Sequence, residues 1–209
     1  KNYREKLIEP LQDRFRTKAP VTAIRGTTVF CADGTKEHFN RVIFACHADE
    51  ALSLIENPSD LESGLLSRFK YQLNPTIIHT DSSVMPKARL GWSSWNYRIE
   101  KNGEGSTHYW MNELQHLPKD HNNKNYFVTL NGSVEPSSVL MKLNYTHPIF
   151  DLAAVRAQSD LPSLNRAGTQ SGRFFCGSYF KYGFHEDALS ASVSLCEQLA
   201  PNITRGLSS

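Results

Sequence analysis

The 209-residue sequence is poor in the features that mark most function classes. Its lysines and arginines are scattered and the formal net charge is only +2. Nothing tracks a phosphate backbone, so no nucleic acid is expected as a partner. No apolar run approaches the roughly 20 residues that span a bilayer, which leaves no transmembrane segment. Lys1-Asn2-Tyr3-Arg4-Glu5-Lys6 is charged and has no apolar signal core. The compartment stays unknown, with the cytoplasm favoured. Four cysteines, Cys31, Cys46, Cys176 and Cys196, form no C-x-x-C pair, and His47, His79, His147 and His185 fall in no ligand spacing, so no metal is expected. Each cysteine sits in an apolar run and reads as a small buried hydrophobe. No Gly-x-Ser-x-Gly accompanies His79-Thr80-Asp81, which argues against a hydrolase. No Gly-x-Gly-x-x-Gly turn follows an apolar strand; Gly103-Glu104-Gly105 lies in a polar loop.

What is present is an ordinary globular pattern. Tyr3, Leu7, Leu11 and Phe15 recur at fourfold spacing and predict an amphipathic helix over 2–16, interrupted at Pro10. Residues 20–24 and 27–31 read as strands, with Asp33-Gly34 as a tight turn. The apolar run 41–46 predicts a strand buried on both faces, and a helix follows over 48–55. Between 68 and 150, strands are expected at 76–80, 90–99, 107–111, 126–130 and 139–145, in a mainly antiparallel sheet. Beyond 151 come a short helix, a strand over 173–177 and a helix over 184–199, stopped by Pro201. Trp92, Trp95, Tyr97, Tyr109 and Trp110 fall on adjacent predicted strands, with Trp95 and Tyr97 on one face. They read either as the lining of an apolar or lipid-like substrate pocket or as aromatic core.

The most informative segment runs from Phe174 to Ala188. An apolar strand ends at Gly177, an aromatic loop follows with Gly183, and a helix opens at Phe184-His185-Glu186-Asp187-Ala188. Glycine after a strand lets another group approach the backbone. A helix N-terminus offers unpaired N–H groups and about half a positive charge. His185 is a candidate proton-transferring group there. By pattern alone the segment equally fits strand–turn–helix packing, with Glu186 and Asp187 stabilising the helix through its dipole.

The segment resembles the C-terminal flavin-contacting motif of the FAD-dependent amine oxidase and protoporphyrinogen oxidase superfamily, most closely a subgroup of predicted NAD/FAD-binding proteins. The same subgroup's signatures recur in order along the chain, at residues 44–52, Tyr71-Gln72-Leu73-Asn74, His79-Thr80-Asp81, residues 92–97, residues 109–115, Val128-Thr129-Leu130-Asn131, His147-Pro148-Ile149-Phe150 and residues 182–187.

The resemblance implies a mixed α+β or α/β fold. A discontinuous FAD-binding domain, represented by 1–47 and 151–209, flanks a mainly antiparallel substrate-binding sheet with helices over 48–150. It implies that the glycine-rich dinucleotide-binding segment precedes Lys1 and is missing here, so that this chain alone is expected to be inactive. Val21 matches a strand beside the adenine end of FAD. Gly177 matches the glycine near the pyrophosphate and ribityl. Phe184, His185 and Glu186 match the helix opening beneath the flavin, and Gly183, Asp187 and Ala188 beside them are expected to be cofactor-binding as well. The implied activity is removal of hydride from a C–N or C–C bond of an apolar substrate, a fatty-acyl chain among the candidates; the alternative is a flavin-free module that binds an apolar ligand. Three departures stand out. Ser178 and Tyr179 replace an acidic residue after the glycine, Asp187 replaces a glycine, and no lysine lies near Asn74-Pro75, where amine oxidases hold one beside flavin N5; Lys70 is four residues earlier.

Overall fold

The computed structural model describes residues 5–6, 8–99, 103–117 and 124–201. In chain order its elements are β1 (Val21–Arg25), β2 (Thr28–Cys31), β3 (Lys36–His38), β4 (Val42–Phe44), α1 (Ala48–Leu54), α2 (Asp60–Leu66), β5 (Lys70–His79), β6 (Trp95–Ile99), β7 (Gly105–Trp110), α3 (Met111–Leu114), β8 (Phe127–Leu130), β9 (Val139–Ile149), α4 (Leu152–Gln158), α5 (Pro162–Ser171), β10 (Arg173–Phe175) and α6 (His185–Leu199). The fold is mixed, with antiparallel sheets and helices, as expected. The chain divides into two compact units, Lys1–Lys70 with Pro148–Ser209, and Tyr71–His147.

In the first unit, β1, β2 and β3 form an antiparallel meander. The Asp33 carboxylate shapes the β2–β3 turn by accepting from the Thr35 N–H at 2.9 Å and the Thr35 hydroxyl at 2.6 Å. β3 is too polar to read as a strand by apolar pattern. The expected helix over 2–16 is described in part as a 3-10 helix over Glu9–Arg14; Tyr3 and Leu7 lie outside the described residues. Pro10 has no N–H to continue an α-helix. Residues 48–70, grouped on sequence with the middle sheet, pack in the first unit. Their tie is local: Ile55 bridges Ile24, and Glu56 both donates its N–H to the Ile24 carbonyl at 3.1 Å and pairs with Arg25 at 2.6 Å.

β4 and β10 pair in parallel, Val42 with Arg173 through Phe44 with Phe175, and Phe44 stacks on Phe175 at 5.0 Å. Asn165 of α5 closes the other side of Phe175. Its side-chain oxygen accepts the Phe175 N–H at 2.8 Å and its amide donates to the Phe175 carbonyl at 2.9 Å. The expectation that 41–46 is buried on both faces is corrected: Phe44 is buried, but Ile43, on the other face of the two-stranded pair, is 48% exposed. Of the cysteines, Cys176 is buried, but Cys196 is exposed on α6, so the uniform burial expected of them does not hold.

One ion pair joins α2 to β10. Arg173 Nε and Nη2 each donate at 2.7 Å to the two oxygens of Glu62, with side-chain exposures of 11% and 6%. The same carboxylate accepts the Ser59 N–H at 2.7 Å, and the Ser59 hydroxyl accepts the Glu62 N–H, forming a capping box that starts α2. Burial alone pushes the Glu62 carboxyl up; the hydrogen bonds from Arg173 and Ser59 outweigh it and hold the group below its usual range.

The second unit is a five-stranded sheet in the order β6-β7-β8-β5-β9. Phe127 of β8 packs with Val84, Met85, Trp92 and Trp110 on its inner face. The strand expected over 90–99 begins only at Trp95. The Trp92 indole donates to the Pro86 carbonyl at 2.8 Å and joins this core, and residues 89–91 form a 3-10 turn off the sheet.

Removing one member of the buried ion pair strands the other's charge. Arg173→Met is expected to lower stability by about 3–5 kcal/mol in urea unfolding. The double replacement Glu62→Leu/Arg173→Met is expected to recover most of that loss, since no unpaired charge remains.

Candidate functional site

The tip of α6 holds half of the site residues singled out on sequence, from Gly183 to Ala188. Gly183 has φ +92°, a left-handed conformation that glycine adopts without strain, and a Cβ there would lie 3.1 Å from the Phe150 ring. The loop ahead of it is tied down by Gln158, whose side-chain amide donates to the Tyr179 and Lys181 carbonyls. Asp187, buried at the third helical position, accepts from the Phe184 N–H at 3.0 Å and the Tyr182 N–H at 3.2 Å. That carboxylate closes the chain into the helix. It leaves the His185 and Glu186 amides, the first two of α6, without a protein acceptor among the described residues. Phe184, His185 and Glu186 are exposed, and Ala188 is half-buried.

Gly177 has a second reason to be glycine. A Cβ there would lie 2.8 Å from Tyr179 Cε1, so the space that a missing side chain opens is filled by the chain's own ring. Val21 opens β1, pairs with Cys31 across the meander and sits next to an irregularity in register. Asn74, near which a lysine was sought, is instead the centre of an amide cluster. It accepts from Asn131 Nδ2 at 2.7 Å and donates to His147 Nδ1 at 2.7 Å and to the Gln72 carbonyl.

The aromatic candidates separate into two groups. Trp95 pairs across the strands with Tyr109 and stacks on Tyr97 at 6.3 Å; Trp95 and Tyr97 are 53% and 57% exposed. These three share one face of the sheet, because residues directly opposite in an antiparallel pair point the same way. Trp92 is not with them. It packs edge-on to Trp110 in the opposite-face core.

That inner face carries a polar chain the sequence did not disclose. His79 Nε2 lies 2.7 Å from Thr129 Oγ1, Thr129 Oγ1 lies 2.7 Å from His108 Nδ1, and His108 Nε2 lies 2.9 Å from Ser106 Oγ, with all four residues buried. The Asp81 N–H donates to His79 Nδ1 at 3.1 Å. A backbone amide can only donate, so His79 carries its proton on Nε2 and gives it to Thr129. The arrangement that matches a donor to an acceptor at every link has Thr129 donating to His108 Nδ1 and His108 Nε2–H donating to Ser106. The alternation of Ser106 and His108 on β7 was the available signal, but an alternating polar pair looks like a solvent-facing strand edge. Burial pushes the His79 imidazole below its usual pKa, and the nearby Asp81 carboxylate offsets this in part. Among the described residues no cluster of histidine, cysteine or acidic side chains could hold a metal. No described helix is long and apolar enough to cross a membrane.

No family model matches the chain and no curated protein matches it. Solved structures do. Reduced UDP-galactopyranose mutase superposes with a TM-score of 0.63 at 12% identity, covering 94% of this chain and 50% of that one. A CLA-producing fatty acid isomerase from P. acnes gives 0.58 at 8% identity, covering 87% and 47%. A putrescine oxidase double mutant with redesigned cofactor binding gives 0.52 at 12% identity, covering 96% and 51%. The chain shares the fold of these enzymes over about half their length.

The polar chain accommodates His79 only as a neutral imidazole, since a proton on His79 Nδ1 would face the Asp81 N–H. His79's folded pKa lies below its unfolded value of about 6.5, so its contribution is complete above that pH and is lost as pH falls through it. A decline in melting temperature is expected to set in below about pH 6.5, ahead of the Glu62 loss near carboxylate pKa values. Thr129→Val strands two imidazole nitrogens, and a loss of about 2–4 kcal/mol in urea unfolding at pH 8 is the expected outcome.

Proposed function

We propose that the chain is one half of an FAD-dependent oxidoreductase and supplies the flavin-facing helix tip and the substrate sheet. A dinucleotide-binding segment outside the sequence supplies the pyrophosphate turn. The observation that carries this reading is the opening of α6. Its first two amides have no acceptor among the described residues, while Asp187 closes the Tyr182 and Phe184 N–H groups beside them and Gln158 ties the Tyr179 and Lys181 carbonyls. A donor set held this rigidly suits an electron-rich ring edge that gains negative charge on reduction. The shared fold with a mutase studied in its reduced state and an oxidase with redesigned cofactor binding supports the same reading.

The fit is good at the helix tip and restricted at the preceding turn. His185 and Glu186 would offer backbone N–H groups, with Gly183, Phe184, Asp187 and Ala188 shaping the approach and the Val21 backbone at the distant adenine end. Gly177 would contact the cofactor only from the side that Tyr179 does not fill. Bound FAD would supply the hydride acceptor. His185, exposed at the first helical position, would hold or move a proton beside it. Trp95, Tyr97 and Tyr109 would line an apolar substrate pocket, and the fold shared with a fatty acid isomerase makes a fatty-acyl chain a natural candidate. With an amide cluster at Asn74 where amine oxidases hold a lysine, amine oxidation is the less favoured chemistry.

The test is the visible spectrum of the purified protein carrying both this chain and its dinucleotide-binding segment. A bound flavin band that bleaches on reduction is expected. A folded, colourless protein would instead favour a flavin-free module that binds an apolar ligand on the Trp95–Tyr97 face. In the flavin-loaded protein, His185→Ala is expected to keep the cofactor and slow its reduction by about 10²-fold. Unchanged reduction kinetics would remove His185 from the site.

A further inference from the structure

We propose that Arg89 anchors a binding site for the oxyanion of a carboxylate or phosphate group on the second unit, a site that does not depend on the flavin reading. The Arg89 guanidinium sits in a corner between two perpendicular indoles. Its Cζ lies 3.7 Å from the Trp92 ring centroid and 4.3 Å from that of Trp110, and the two rings meet edge to face at 5.3 Å and 88°. Both walls of the corner are fixed through their own N–H groups: Trp92 donates to the Pro86 carbonyl at 2.8 Å and Trp110 to Asn125 Oδ1 at 3.0 Å. The two ring centroids lie in roughly perpendicular directions from Cζ, so a guanidinium stacked on one indole turns part of its rim to the face of the other, and the N–H donors on the rest of the rim are left over. Among the described residues no carboxylate, carbonyl or hydroxyl accepts from that rim.

Arg89 lines a cleft of about 630 Å³ whose wall also includes Lys124, Asn125, His116 and Glu113. Asn125 gives its oxygen to Trp110, so its amino group remains as a second neutral donor on the wall. The described wall of the cleft carries the side chains of Arg89, Lys124 and Glu113. A cation that only covered apolar surface would need neither a fixed plane nor a concave space at its edge. A guanidinium held in a defined plane has already lost the rotamer freedom that a flexible side chain gives up on binding, and its fork matches the paired oxygens of a carboxylate or phosphate. Lysine could not reproduce this, because it presents a point charge with no planar fork.

The experiment follows the Arg89 Nε–H resonance by nuclear magnetic resonance, together with tryptophan fluorescence, in the intact chain at low ionic strength. Sodium octanoate and inorganic phosphate are titrated separately. At least one is expected to shift that resonance and quench the fluorescence saturably. Tighter response to octanoate would assign an acyl carboxylate, and tighter response to phosphate a phosphate ester. Arg89→Lys is expected to weaken binding by about tenfold or more, and Lys87→Gln, a neighbouring charge outside the cleft wall, to leave it unchanged. The wild-type resonance needs no variant to fold, so its failure to respond to either anion at millimolar concentration overturns the proposal. Equal binding by Arg89→Lys overturns it as well.

Discussion

The parallel pairing of β4 with β10 is the constraint on which the first unit depends. It joins Val42–Phe44 to Arg173–Phe175, with the whole second unit between them in sequence. The cost of closing so long a loop grows only slowly with its length, so what matters is whether the short pair is held once formed. Three devices hold it. Phe44 stacks on Phe175. Asn165 supplies a side-chain amide that mimics a further strand at Phe175. Arg173 reaches the Glu62 carboxylate that starts α2. Every residue thought to face a cofactor from the C-terminal side follows directly from the end of β10, so its position inherits the precision of this pairing.

The loop between β10 and α6 shows how one pattern can serve packing and function together. Gly177, Gly183 and Asp187 were all expected from sequence to bind a cofactor, yet each has a reason within the chain: Tyr179 fills the space at Gly177, Phe150 crowds Gly183, and Asp187 caps the loop amides. What remains uncommitted is narrower than the motif, namely the amides of His185 and Glu186. A site read from a motif includes the residues that build its frame. The contacting groups are those whose hydrogen-bonding capacity the frame does not use.

Much of this was legible in the sequence. The last helix was readable from its acids at the start, its small residues and Pro201, and the paired strands from apolar runs ending at polar turns. Trp95 and Tyr97 fell on one face because strand periodicity is strict. The failures have physical causes. Ser59-Asp60-Leu61-Glu62 spells a capping box, but α2 behind it is only two turns long and was hidden by its polar start. β3 consists of Lys36, Glu37 and His38, and its strand geometry comes from the neighbouring β2 alone. Trp92 was grouped with the aromatics that read either as pocket lining or as core; its indole, bonded to the Pro86 carbonyl, joins the core. The Ser106–His79 chain could not be read at all, since its links lie between β5, β7 and β8 and require the sheet register.

Two polar assemblies in the second unit mark opposite ends of one physical scale. In the chain from His79 through Thr129 and His108 to Ser106, each link has a donor and an acceptor matched in sequence and the whole is buried. Such a network tells the sheet which register to adopt, because a one-residue slip would strand every member against apolar neighbours. Around Arg89 the planar group is just as firmly positioned, but its donors end at a cleft wall. Rigid placement is common to both. What separates a group that specifies the fold from one that recognises a partner is whether its hydrogen bonds are already complete within the chain.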